Sequence, residues 1–239
     1  MLQLDPTAWQ SIVQHPAMAI GLTVTAFFLA IRLQRLARGS VLLNPTLVAI
    51  VITATGLHAF GVGYDTYMRG AGFMHFLLGP AVVVLAIPLY RQTPLILSSK
   101  RLLGASLAVG LPVGIVSAVG IAWALGATTE TILTLAPKGA TSGISIGVSE
   151  KIGGIPVLTA VLVICTGVSG AIVGPPIMRI LGVTDHRVFG VTMGISAHGQ
   201  GIAESFKLSE VAGAFAGLGM ALNGVLTAMV IPISLTLLR

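Results

Sequence analysis

Charge is nearly absent from this chain: only 8% of its 239 residues are Asp, Glu, Lys or Arg, against roughly 25% in soluble domains. No water-facing exterior can be assembled from such a list, which excludes an ordinary soluble fold. There is one cysteine, Cys165, inside an apolar run, so no disulfide framework or thiolate cluster forms within one chain. Aromatics make up 5%. The sequence has no serine-nucleophile pattern, no phosphate loop and no metal-binding cluster of His, Asp or Glu. An enzyme is therefore not expected, and neither is a cofactor. The formal charge of +6 comes from basic residues standing singly or in threes, with no basic stripe carrying interleaved aromatics, so nucleic acid is not an expected partner. No basic residue precedes the first apolar stretch, and a cleaved signal peptide is not expected.

What the chain has is apolar length. Apolar residues make up 55%, and the mean hydropathy is +0.99. A spanning helix takes about 20 mostly apolar residues, because backbone groups in hydrocarbon must bond within their own segment. Eight segments approach this: 9–31, 41–63, 71–90, 102–127, 131–149, 155–178, 188–203 and 211–238. The expected fold is an all-α integral membrane protein of about seven to eight transmembrane helices in a lipid bilayer, some discontinuous or re-entrant, with inverted repeats as a candidate arrangement. We expect a single polytopic domain over 1–239, with 1–127 and 128–239 as candidate halves, placed in the inner (plasma) membrane. Thirty glycines, including Gly167, Gly170 and Gly174, permit close helix contacts.

Basic residues favour the cytoplasmic side. With all eight segments crossing, Arg32, Arg35, Arg38, Arg91, Lys100, Arg101, Lys151 and Lys207 lie inside. With 131–149 dipping in and returning, Arg179, Arg187 and Arg239 replace Lys151 and Lys207. Both counts favour one side, so both topologies stay open.

Three segments carry polar chemistry into the membrane. Gly79 and Pro80 predict a kink or break near 76–80, which frees backbone groups for a ligand. In Leu135-Ala-Pro-Lys-Gly-Ala-Thr-Ser-Gly-Ile-Ser-Ile-Gly-Val-Ser149, Lys138 sits mid-span beside Pro137. A charge there costs about 2.5–3.5 kcal/mol or more unless it faces a partner or a water-filled cavity. A half-helix starting near Gly139 would present free amides which, with Lys138, Thr141, Ser142 and Ser145, suit a carboxylate; the structural alternative is a lysine that snorkels to the membrane edge. The third segment, Gly194-Ile-Ser-Ala-His-Gly-Gln-Gly-Ile-Ala-Glu204, contains His198, Gly199, Gln200 and Glu204. Its glycines predict unwound backbone, and His198 with Glu204 is the candidate proton-coupling pair. The alternatives are a structural histidine and a solvated glutamate.

Taken in order, Leu43-Asn44-Pro45, Leu77-Leu-Gly-Pro-Ala81 with Ile87-Pro-Leu-Tyr90, Pro137-Lys138 with Thr141, Ile152-Gly-Gly-Ile-Pro156, and Gly194 with His198 and Gly201 resemble the LrgB/CidB family. That family includes bacterial holin-like membrane proteins and the C-terminal part of the plastid glycolate/glycerate transporter. Val82, Gly143 and Gly199-Gln200 depart from its usual residues. The resemblance covers about residues 43–232. It implies a secondary transporter of small organic monocarboxylates such as glycolate, glycerate or pyruvate, with Asn44 joining the candidate substrate-binding residues. It also implies an alternative, an antiholin- or holin-like modulator of murein hydrolase activity and cell lysis. Expected partners are a small organic anion, an LrgA/CidA-type small membrane protein, and other copies of the chain in a homo-oligomer.

Overall fold

A computed structural model of the chain describes residues 15–37, 40, 43, 45–77, 80, 86–91 and 93–237. The described residues are helical, without strands, and fall into two compact units, Met1–Ala81 and Val82–Arg239.

In the first unit, α1 (Pro16–Leu36), α2 (Pro45–Ala59) and α3 (Tyr64–Phe76) follow one another. Proline opens α1 and α2, where its missing N–H loses no helical bond. The first helix runs through Arg32 and Arg35 instead of ending before them. Buried Ala26, Ala30 and Ala49 let α1 and α2 approach closely.

The second unit contains short helices α4 (Ala86–Arg91) and α5 (Thr93–Ser98), then α6 (Lys100–Ala124), α7 (Thr129–Leu135), a 3₁₀ turn (Ala136–Gly139), α8 (Ser142–Ile152), α9 (Pro156–Ile180), α10 (His186–Leu208) and α11 (Glu210–Leu237). Among the described residues, four helices are long and apolar enough to cross a membrane: Pro16–Leu36, Lys100–Ala124, Pro156–Ile180 and Glu210–Thr236, with Pro45–Ala59 a shorter apolar helix. The all-α membrane architecture holds, and these helices account for part of the seven to eight spans expected.

Segment 131–149 is a hairpin. Pro137 cannot donate a helical hydrogen bond, so the chain tightens into the 3₁₀ turn, closed by Ala140 N donating to Pro137 O at 3.0 Å, and then extends at Ala140 and Thr141. The returning α8 folds back on α7. Ser145 Oγ donates to Pro137 O at 2.6 Å, and at the base Ile155 N donates to Thr134 Oγ1 at 2.9 Å. Gly153, at φ 89°, ends α8 in the left-handed cap that favours glycine. At about 1.5 Å per residue, eleven-residue α8 spans about half of a hydrocarbon core about 30 Å thick.

A buried polar clasp fastens the base of this hairpin. The Thr159 hydroxyl lies 2.7 Å from Ser149 Oγ and 3.0 Å from Thr134 O, and all three residues are fully buried. Thr159→Val keeps the shape and removes the hydroxyl, so it is expected to cost about 1–2 kcal/mol. Thermal denaturation in detergent should show the loss.

Segment 188–203, read from sequence as a short span, also folds back on itself. His198 has φ 50° and ψ −129°, which breaks α10 into two legs. In a continuous helix Met193 and Gly201 would stand about 12 Å apart along the axis, yet a Cβ added at Gly201 would collide with the Met193 carbonyl. The start and end of α10 also meet, with Ser209 Oγ and His186 Nδ1 2.9 Å apart. Asp185 caps the first leg, accepting from Arg187 N at 2.8 Å. The Arg187 side chain, hydrogen-bonded to it, lowers its carboxyl to about 2, so this cap stays charged until the pH falls to that value.

The two hairpins enter from opposite ends of the unit. Leu133, Val148 and Ile152 of the first pack with Ile231 and Leu235 near the C-terminal end of α11. Val191 of the second packs with Leu103 near the start of α6 and with Phe215 and Leu218 in the N-terminal half of α11. Each hairpin thus follows one long helix and precedes another running the opposite way.

Candidate functional site

The hairpin tips meet at the centre of the long helices. His198 Nε2 lies 2.7 Å from Gly139 O, and Asn223 Nδ2 donates to the same oxygen at 2.6 Å. Asn223 stands at the middle of α11 (Glu210–Leu237), and Gly167, mid-way along α9, faces Gln200 and Ala197. These helices are long and apolar enough to cross the hydrocarbon, so the tips sit half-way along candidate spans.

The Gly139 carbonyl only accepts, so His198 must carry its proton on Nε2 and Asn223 must turn its amide nitrogen toward the carbonyl. That leaves His198 Nδ1 and Asn223 Oδ1 as buried acceptors without a partner. His198 is 3% exposed and Asn223 2%. Buried polar atoms are paired in most proteins, and an unpaired one is commonly found where a ligand or water belongs.

A cavity of about 440 Å³ opens beside the tips, lined by Lys138 and Gly139 of hairpin 1, Thr192 and Ser196 of hairpin 2, Ser106 of α6, Thr166 of α9, and Asn223 and Thr227 of α11. Lys138 is half-buried there, and the two ion pairs formed among the described residues, Asp185–Arg187 and Glu204–Lys207, do not involve it. The cavity therefore sets a half-buried ammonium, with no ion-pair partner among the described residues, beside hydroxyls and an amide.

The structure gathers part of the expected set. Lys138, Gly139 and His198 come together. Ser145 is buried with its hydroxyl engaged on Pro137 O, so it straps the hairpin. Thr141 caps α8 with no side-chain cap bond, and Ser142 opens that helix; neither lines the cavity. Gly199 is exposed, and the Gln200 amide lies against α9 at Gly167. Glu204 pairs with Lys207 at 2.6 Å and does not join His198. Pro80 is helical and exposed, while Asn44 and Gly79 lie outside the described residues. Asn223 was missed, although a lone amide at the centre of a long uncharged helix is the same kind of signal as Lys138.

A model of the LrgB-like family matches residues 23–237. The chain belongs to that family. It is 35% identical over 193 residues to the uncharacterized protein YwbG of Bacillus subtilis, covering 81% of this chain and 86% of the relative. It is 31% identical over 216 residues to the holin-like protein CidB of Staphylococcus aureus, covering 90% and 94%. An uncharacterized protein of Haemophilus influenzae is 30% identical over 211 residues, covering 88% and 91%. No solved structure matches. With its apolar helices, this LrgB-like chain is a multi-pass membrane protein, and the expected LrgB/CidB membership holds.

Proposed function

We propose that this protein is a secondary carrier of small organic monocarboxylates of the glycolate, glycerate or pyruvate kind, holding the anion at Lys138 where the two hairpin tips meet. The observation that carries the reading is an ammonium without a counter-charge in a mid-depth cavity between two half-membrane hairpins of opposite entry. Discontinuous elements meeting at the midplane are how secondary carriers expose backbone and polar groups to cargo. His198, touching the tip carbonyl, is the group assigned to proton coupling; Glu204 supports that role less, because it is paired with Lys207.

Among the described residues of this unit, Lys100, Arg101, Arg179, Arg187 and Lys207 gather at the end where hairpin 2 enters, and Lys151 lies at the other. The bias supports a reading in which the hairpin 2 end faces the cytoplasm of a plasma-membrane protein.

A second reading, a holin-like protein that modulates murein hydrolases and lysis, is favoured by the name of the CidB relative, and the comparisons support it better than the carrier. An LrgA/CidA-type small membrane partner and a homo-oligomer fit either reading.

One experiment separates the two. In liposomes, a carrier takes up labelled glycolate, glycerate or pyruvate saturably, responds to a pH gradient and retains an entrapped dye. A holin-like pore leaks the dye whatever anion is supplied. Leakage without saturable uptake overturns the carrier.

A further inference from the structure

Both hairpins are fastened at their bases, and their tips meet each other. The base of hairpin 1 is tied by Thr134, Ser149, Ile155 and Thr159, and that of hairpin 2 by the His186–Ser209 contact. At the tips, one atom joins three elements: the Gly139 carbonyl oxygen accepts from Asn223 of α11 and also meets His198 of hairpin 2. A carbonyl has two lone pairs, so both contacts form together, and either breaks without the other.

The joined state is not fully satisfied. Oδ1 of Asn223 and Nδ1 of His198 stay buried without partners, and His198 keeps a backbone conformation that side chains rarely adopt. These deficits make the joined state less favourable than a fully paired one.

We propose that Asn223 is a positioning residue that latches hairpin 1 to α11, and that the two hairpins are opposite gates of the cavity, hairpin 1 toward the Lys151 end and hairpin 2 toward the Lys207 end. The proposal rests on the carrier reading and gives it a route: releasing one tip opens the cavity to one side while the other hairpin still closes it. Asn223 acts through Gly139, setting where the neighbouring Lys138 stands.

The test reads access rather than transport. In a Cys165→Ser background, since Cys165 is exposed, Ser106→Cys places a reporter thiol on the cavity wall. Oriented vesicles are treated with a membrane-impermeant methanethiosulfonate from either face. Asn223→Ser should raise the labelling rate about tenfold from the Lys151 face alone, the effect of losing about one hydrogen bond. His198→Ala, which removes the ring but keeps a Cβ on the strained backbone, should do the same from the Lys207 face alone. Equal gains on both faces, or none on either, overturn the proposal.

A second measurement does not depend on those variants folding. Ile144 of hairpin 1 reaches α11 at Gly224, so a cross-link between Ile144→Cys and Gly224→Cys should slow labelling from the Lys151 face and leave the other face unchanged. Slowing on both faces, or on neither, overturns the gate assignment. If the carrier reading is wrong and the gates are right, side-selective labelling persists while the parent protein shows no saturable anion uptake.

Discussion

Gly201→Ala is expected to lower the stability of the protein by about 3 kcal/mol or more, seen as a large drop in melting temperature or a loss of monodisperse protein in detergent. The estimate goes against helix propensity, since alanine is favoured over glycine by about 1 kcal/mol in a helix interior. Packing decides the sign. A Cβ at Gly201 meets the Met193 carbonyl of the opposite leg and the Ala197 Cβ, and a backbone carbonyl cannot rotate aside as the end of a long side chain can. Overpacking a well-filled site costs about 1–3 kcal/mol, and here relief requires separating the two legs of hairpin 2. Gly194, on the first leg, repeats the arrangement against a different neighbour, where an added Cβ meets the Ala216 carbonyl of α11. Gly199, two residues before Gly201, is the control: nothing lies within 4 Å of its added Cβ, so Gly199→Ala should be near neutral. Similar stability for the Gly199 and Gly201 variants would mean that α10 does not fold back on itself.

The same glycines explain why hairpin 2 was harder to read than hairpin 1. In the first, the signal is local, because Pro137 removes a helical donor and Gly139 follows two residues later. A break at 136–141 is therefore legible in the chain, and the alternative in which this segment turns back is the one the Thr134–Ile155 contact selects. In the second, a leg of a hairpin and half of a spanning helix have the same apolar periodicity. What separates them is a contact between residues eight apart and another between His186 and Ser209, and neither leaves a mark on composition. His198 marked the right place, but the reversal there needs a positive φ that sequence does not assign to histidine. Boundaries went astray for a related reason. Arginine is a good helix former, so Arg32 and Arg35 continue α1 to Leu36. The hydroxyls were the least legible part of the site. Ser145, beside Lys138 in sequence, turns to the hairpin's own backbone, while Thr166 and Ser196, remote in sequence, face the cavity.

Lys138→Met tests the centre of the mechanism, because function and stability should move in opposite directions. A half-buried ammonium without a counter-charge carries a desolvation cost, and methionine fills similar space with a flexible apolar chain. The variant should fold at least as well as the parent, with an equal or higher melting temperature. Anion uptake should suffer strongly. A hydrogen bond to a charged group contributes about 1.5–3 kcal/mol, so the half-saturating concentration should rise about 10- to 100-fold if the anion lies against Nζ. Lys138→Arg keeps the charge but replaces a compact ammonium with a planar fork, and in a cavity of about 440 Å³ it should retain part of the affinity. A structural lysine would give the reverse pattern, with both variants less stable and the uptake of whatever protein remains folded unchanged in its concentration dependence. A lysine that extends to the headgroups would leave both properties near the parent's. The combination of unimpaired folding with weakened binding therefore belongs to a residue retained for its ligand at a cost to the fold, which is the sense in which proteins give up stability at functional sites.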